Sequence, residues 1–270
     1  MYNDPEQRET EIKNISSVYK TLADEILPQL RRARLTANYD VIGRSDEEIN
    51  EAFDTDAKVL SANELLYAAT LTNDKARQEA IYKKTTELYP NDFRAYNNLG
   101  MMAYANGDFT TAENYFKQAA SKDANAPEVN TNLGYIELVK GNVANAETYL
   151  SKSTGANTAN EALGNLYIKQ GQYDRAVQAF GDTKTNSAAL AQILAKDYNK
   201  AKNTLASVEK PDAYTEYLMA VLGARTNNAS MVTSSLKNAV AKEPSLAKKA
   251  ASDLEFAKYF TNAEFMSIAQ

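Results

Sequence analysis

The sequence contains no cysteine, no histidine and no tryptophan. Without cysteine there is no disulfide, no thiolate nucleophile and no thiolate metal ligand, and the redox compartment is left open. Without histidine, Ser-His-Asp and Cys-His catalysis, HExxH zinc sites and imidazole proton shuttles are excluded, leaving carboxylates, lysine and tyrosine as acid-base groups. Uninterrupted apolar runs are short, as around Leu65 to Leu71, so neither a membrane span nor a signal-peptide core is present. A surplus of positive charge is also missing: 35 acidic against 30 basic residues give a net charge of -5, so nothing global draws the chain to nucleic acid or to an anionic membrane. Only ten glycines and six prolines interrupt 270 residues that are 44% apolar and 24% charged. Such a chain folds, as one large domain or two small ones.

What is present is a period. Tyr96, Leu99, Gly100 and Ala103 fall on one face of a helix that Gly107 breaks. Asp108 is placed to cap a second helix, along which Ala112, Phe116 and Ala119 line one face. A shift of 34 carries Gly100, Gly107, Ala112 and Phe116 onto Gly134, Gly141, Ala146 and Leu150. Leu163-Gly164, Tyr167, Gly171, Ala176 and Phe180 keep the same internal spacing but follow after 30 residues, so the connection before them is shortened. This pattern resembles the tetratricopeptide repeat (TPR), whose period is 34. The resemblance implies an all-α fold: a right-handed TPR-type α-solenoid of about five helical hairpins, with a helical N-terminal section and a C-terminal capping helix. Expected units are 59–92, 93–126, 127–156, 157–182, a degenerate 183–212, and 213–244, between a front section 1–58 and a closing section 245–270. Small residues on the first helix let the second approach, and the Phe-type residue fills the space between hairpins.

The ends of a solenoid need covers. Leu246, Ala250, Leu254, Ala257 and Phe260 have the spacing of a closing helix, with Leu254 and Phe260 expected to cover the last hairpin and Phe265 and Ile268 to add a turn. At the front, Asp4-Pro5 starts a helix whose apolar stripe is Ile12, Ile15, Tyr19, Leu22 and Ile26, up to Pro28. A second helix is expected over Leu30 to Tyr39, and Ser45 with Glu48 forms a capping-box signature.

More specific strings narrow the likeness. Leu27-Pro-Gln-Leu-Arg-Arg-Ala-Arg-Leu-Thr36, Gly43-Arg-Ser-Asp-Glu-Glu-Ile49, Glu64-Leu-Leu-Tyr-Ala-Ala-Thr-Leu71, Tyr89-Pro-Asn-Asp-Phe-Arg-Ala-Tyr-Asn-Asn98, Gly223-Ala-Arg-Thr-Asn-Asn228 and Asp253-Leu-Glu-Phe256 resemble the C-terminal TPR region of Bacteroides-type envelope proteins that join an OmpA-like domain to TPR repeats. That resemblance implies a fragment of an exported protein, located in the periplasm at the outer membrane, with peptidoglycan held only through an upstream OmpA-like domain; a cytoplasmic chain is the alternative. It brings no catalytic residue, no metal and no cofactor.

The functional expectation is a non-catalytic scaffold that binds a protein or peptide segment. In the TPR pattern the first helix of each hairpin faces the inner curve, through the residues one after and three before its Ala/Gly position. These are Asn63 and Tyr67, Asn97 and Met101, Thr131 and Tyr135, and Glu161 and Asn165, with Tyr104 one turn on. Amides pair with a peptide backbone, while Tyr and Met offer adaptable apolar contact. With so little charge, the groove is expected to prefer a neutral or mixed segment and to respond little to salt. Packing against neighbouring helices is the plain alternative for any single tyrosine. A carboxylate-clamp co-chaperone is discounted, because Asn97, Met101, Asn132 and Tyr135 occupy its positions and the lysine is missing, although Asn132 does match. The rival from another class is a carboxylate-dependent cell-wall glycan-processing enzyme of paired helices; the chain is short for the closed ring such enzymes form. Arg31, Arg32 and Arg34 form the one dense basic run, read as a solvated face or as local partners of Asp24, Glu25, Asp46 or Glu47, with an acidic partner or a lipid headgroup as the functional alternative. Asp46-Glu47-Glu48 suits a helix N-terminus.

Overall fold

A computed structural model describes residues 4–14, 20–26 and 43–270. The chain divides into two compact units, Met1–Ser45 and Asp46–Gln270. In the first, helix α1 (Pro5–Asn14) begins where Asp4 Oδ1 accepts the Glu6 N–H at 3.0 Å, and a short π-helical turn spans Leu22–Ile26. Ile15, Tyr19, the expected Leu30 to Tyr39 helix and the Arg31, Arg32 and Arg34 cluster lie outside the described residues, as do the side chains of Ile12 and Leu22.

The second unit is an α-solenoid. After α2 (Asp46–Asp56), helices pair in chain order: α3 (Ala62–Ala68) with α4 (Lys75–Leu88), α5 (Phe93–Ala105) with α6 (Phe109–Lys122), and α7 (Pro127–Val139) with α8 (Val143–Leu150). They continue as α9 (Ala159–Lys169) with α10 (Tyr173–Phe180), α11 (Asn186–Leu194) with α12 (Tyr198–Ala206), and α13 (Ala213–Arg225) with α14 (Ala229–Lys242). Each helix packs on its chain neighbours, and from α5 onward each first helix also touches the first helix of the next hairpin. No strand occurs among the described residues, and no helix among them is long and apolar enough to cross a membrane.

One turn recurs. Gly107 has φ +77° and donates to Tyr104 O at 3.0 Å, while the Asp108 N–H reaches Ala103 O at 3.0 Å. This Schellman pair satisfies carbonyls that the helix end would otherwise leave bare. The same two bonds close α7, α9, α11 and α13, but on α11 the left-handed position is Lys196 (φ 65°) and on α13 it is Asn227 (φ 55°). The α11/α12 and α13/α14 hairpins therefore turn like the three before them without the glycine that marks those in sequence.

Between the helices of a hairpin, the packing leaves no room for a methyl group. A Cβ placed on Gly100 would lie 2.5 Å from Phe116 Cε1, one on Gly134 2.5 Å from Leu150 Cδ2, and one on Gly164 2.6 Å from Phe180 Cε2. Helix α7 is deeply set, packed by α5, α6, α8 and α9, and buries even polar residues. Among these is Glu137, whose Oε2 accepts Asn142 Nδ2 at 3.0 Å and Asn145 Nδ2 at 3.1 Å. Lys140 bridges it to α6, with Nζ 3.4 Å from Glu137 Oε1 and 2.6 Å from Glu113 Oε2.

The C-terminal cover corrects an expectation. α15 (Ser245–Ser252) stops because Asp253 becomes a cap, its Oδ1 accepting the Glu255 N–H at 3.0 Å and its Oδ2 the Tyr217 hydroxyl at 2.7 Å. The chain resumes as a 3-10 helix, Leu254–Tyr259, followed by α16 (Ala263–Ile268). The break rotates the side chains that follow. Leu254 is left 83% exposed, while Phe256, Tyr259 and Phe265 join Leu246, Ala250 and Tyr217 in the terminal core, with Phe260 packed partly against it.

Candidate partner-binding groove

Three first helices, α5, α7 and α9, and the start of α11 build one concave surface. Met101 on α5 is 45% exposed, and Tyr104, one turn on, is half-buried with its ring 5.2 Å from that of Phe109 and 6.4 Å from that of Tyr135. Phe109 thus props Tyr104 from the second helix. Met101, Tyr104, Asn132, Tyr135, Thr158 and Phe116 line a small pocket of about 100 Å³. Tyr104 and Tyr135 also form one wall of a larger cleft, about 650 Å³, that continues over Leu138, Val139, Glu161, Asn165, Ile168 and Lys169 to Ser187 and Leu190. The two spaces adjoin, with both tyrosines in the lining of each.

The tyrosine hydroxyls remain protonated over any physiological range. Burial pushes Tyr135 well above the ordinary tyrosine value, and the nearby Glu161 carboxylate adds to this while the Asn165 amide opposes it. Burial alone raises Tyr104. Both therefore present neutral, amphipathic rings with a polar tip.

Of the nine residues expected in the groove, Met101, Tyr104, Tyr135, Glu161 and Asn165 meet around these spaces. The Asn165 amide is turned partly inward, its Nδ2 donating to Glu161 O at 3.1 Å. Asn97 is buried behind the surface, where its Oδ1 accepts Asn132 Nδ2 at 2.8 Å and joins α5 to α7. Thr131 does not face the groove: it has no exposed surface, and its short side chain turns back so that the hydroxyl donates to Pro127 O at 2.8 Å. Asn63 and Tyr67 are exposed on α3 but outside both spaces. Asn63 Oδ1 accepts Arg94 Nη1 at 2.9 Å, and the Tyr67 hydroxyl donates to Asp46 Oδ1 at 3.0 Å, a bond that holds the Tyr67 pKa up. Val139, Ile168, Lys169, Ser187 and Leu190 were not among the expected residues; the only signal for Val139 is an apolar residue exposed (48%) at a helix end.

Three models of the tetratricopeptide repeat match the chain, over residues 81–114, 98–161 and 161–184. A comparison with curated proteins finds no match. Among solved structures, the APC/C hetero-tetramer Cut9-Hcn1 is similar at 16% identity and a TM-score of 0.61, over 78% of this chain and 44% of that one. The chain thus spans less than half the length of that relative. PilW, a widely conserved type IV pilus biogenesis factor, is similar at 18% identity and a TM-score of 0.54, over 74% of this chain and 98% of its own. A tetratricopeptide repeat protein from Parabacteroides merdae is similar at 13% identity and a TM-score of 0.54, over 97% of this chain and 99% of its own. Identities this low speak for the fold alone. The repeat models and the recurring hairpin turn show that residues 81–184 carry tetratricopeptide repeats within this α-solenoid.

Proposed function

We propose that the chain is a non-catalytic scaffold whose groove across α5, α7, α9 and α11 binds an extended segment of a protein or peptide. One observation carries this: Met101, Tyr104 and Tyr135 from successive hairpins stand together, partly exposed, around two spaces that share both tyrosines. Apolar side chains held open on a rigid helical frame are what a partner residue needs to bury itself against. The carboxylate pair that a glycan-processing enzyme requires is not among the residues lining these spaces, where Glu161 is the one carboxylate.

A partner captured from the source cell by crosslinking is to be titrated against Tyr135→Ala and Met101→Ala variants that keep wild-type helicity. Loss of a buried aromatic anchor weakens binding about 30-fold, equivalent to about 2 kcal/mol. Unchanged affinity in both variants places the partner elsewhere. Tyr67→Ala, on α3, measures whether the contact reaches beyond these spaces.

The envelope reading, a larger OmpA-like protein at the outer membrane, is supported by the strings around Leu27, Gly43, Tyr89 and Asp253. Fractionation of the source cell tests it: recovery of the native protein in the cytosol alone would overturn it.

A further inference from the structure

The larger cleft carries one charge of each sign in a largely apolar lining. Glu161 and Lys169 come to it from the first and last turns of helix α9, and Tyr135, Leu138, Ile168 and Leu190 line it with them. Neither charge is spent within the chain: no ion pair of Glu161 or Lys169 occurs among the described residues. Other charges of the chain are paired, as in Arg94 with Asp92 and Lys140 with Glu113. Eight residues of helix separate Glu161 and Lys169 by about 12 Å along the axis. An extended chain covers that distance in about four residues, and residues i, i+2 and i+4 of such a chain point to one side.

We propose, resting on the groove reading above, that the occupant is an internal segment of mixed charge: a basic residue at Glu161, an apolar residue two positions on over Tyr135 and Leu190, and an acidic residue two further on at Lys169. The basic residue's aliphatic stem lies along the tyrosine rings, so its apolar part is buried while its head meets the carboxylate. The two groove charges cancel at a distance, so the pairing adds selectivity at close range and little long-range attraction. Chain direction is left free by this pattern, since either orientation can offer the two charges to those of the cleft.

Selection of phage-displayed random twelve-residue peptides tests the pattern on the whole chain. Wild-type protein is expected to enrich peptides with a basic and an acidic residue four apart around an apolar one. Glu161→Lys, a charge change at a partly exposed position with folding checked by circular dichroism, is expected to replace the selected basic residue with an acidic one. In anisotropy titrations of the wild-type peptides, Glu161→Gln and Lys169→Gln are each expected to weaken binding about fivefold to tenfold, and substitution of the matching peptide residue by Gln should remove that difference. If wild type and Glu161→Lys enrich the same peptides while Tyr135→Ala captures none of them, the charge proposal fails and the groove stands. If Tyr135→Ala captures the same peptides as wild type, the groove reading fails as well. Absence of any enrichment by the wild-type chain also overturns the proposal.

Discussion

Substituting Gly100 by alanine tests the packing rule of this fold on one atom. Gly100 sits inside α5 with ordinary helical geometry, where alanine is the better helix former by about 1 kcal/mol. Taken alone, that term predicts stabilisation. The added Cβ, however, would lie 2.5 Å from Cε1 and 2.6 Å from Cδ1 of Phe116, a ring with no exposed surface, set between α5 and α6. A fully enclosed ring has nowhere to turn, so the hairpin must open or the ring leave its rotamer, at a cost of about 1–3 kcal/mol for overpacking. The net expectation is a loss of up to about 2 kcal/mol. Phe116→Ala alone costs about 3–5 kcal/mol through lost burial and the cavity left behind. In that background the obstacle is gone, and Gly100→Ala should change sign, stabilising by up to about 1 kcal/mol.

Urea denaturation followed by far-ultraviolet circular dichroism on the four proteins of the cycle gives the coupling directly. A coupling of about 1–3 kcal/mol is expected. The reasoning is refuted if Gly100→Ala is as destabilising without the ring as with it, or if it stabilises the wild type. Either result would mean that the glycine is present for some reason other than the close approach of Phe116.

Burial pushes the Glu137 carboxyl up, but hydrogen bonds from Asn142, Asn145 and Lys140 reverse this and hold it below the usual carboxylate range. A carboxylate whose folded pKa is depressed contributes stability that is present above its unfolded pKa and is lost as pH falls through the folded one. Urea midpoints measured on the acid side should therefore fall more steeply for wild type than for Glu137→Gln, and parallel curves would refute the assignment. At the C-terminus, Phe256→Ala and Phe265→Ala should each cost about 3–5 kcal/mol, whereas Leu254→Ala, at an 83% exposed position, should stay within about 0.5 kcal/mol. Thermal unfolding distinguishes the two outcomes, and a large loss on Leu254→Ala would restore the uninterrupted closing helix. Lys196→Gly should stabilise by about 0.5–1 kcal/mol, because the lysine holds a left-handed conformation (φ 65°) that glycine adopts freely; a loss in chemical denaturation would count against it.

The hairpins were legible because their packing demands particular residue sizes at particular intervals. Where glycine faces Phe116, Leu150 or Phe180 across a gap too small for a methyl group, the spacing had to appear in the sequence. The α11/α12 hairpin was faint because its turn tolerates Lys196 in place of glycine, and the backbone bonds Lys196 to Ile193 and Asp197 to Gln192 leave no trace in side-chain type. Leu254 was misplaced for a related reason. Helical periodicity carries a register forward only while the helix lasts, and the Asp253 cap ends it one residue earlier.

The groove shows where a positional rule stops being enough. One residue after the small position, the rule found Tyr67, Met101 and Tyr135, all at least partly exposed. Three residues before it, the same rule gave four different environments. Asn63 stands free of the cleft, Asn97 is engaged by Asn132 of the next hairpin, Thr131 is sealed under its neighbours, and Glu161 is open to the cleft. The difference lies in what the adjacent first helix supplies at that height, which no single hairpin's sequence contains. Asn132 is long enough to reach α5, whereas Thr131 is short and bonds its own helix. Lys169 escaped the rule because it lies at the last turn of α9, and its relevance comes from Ser187 and Leu190 on α11 extending the wall beside it. The cleft therefore extends towards the C-terminal side of Tyr135, along α9 onto α11, and the proposed groove is best tested at Lys169 and Leu190, more than at Asn63 and Tyr67.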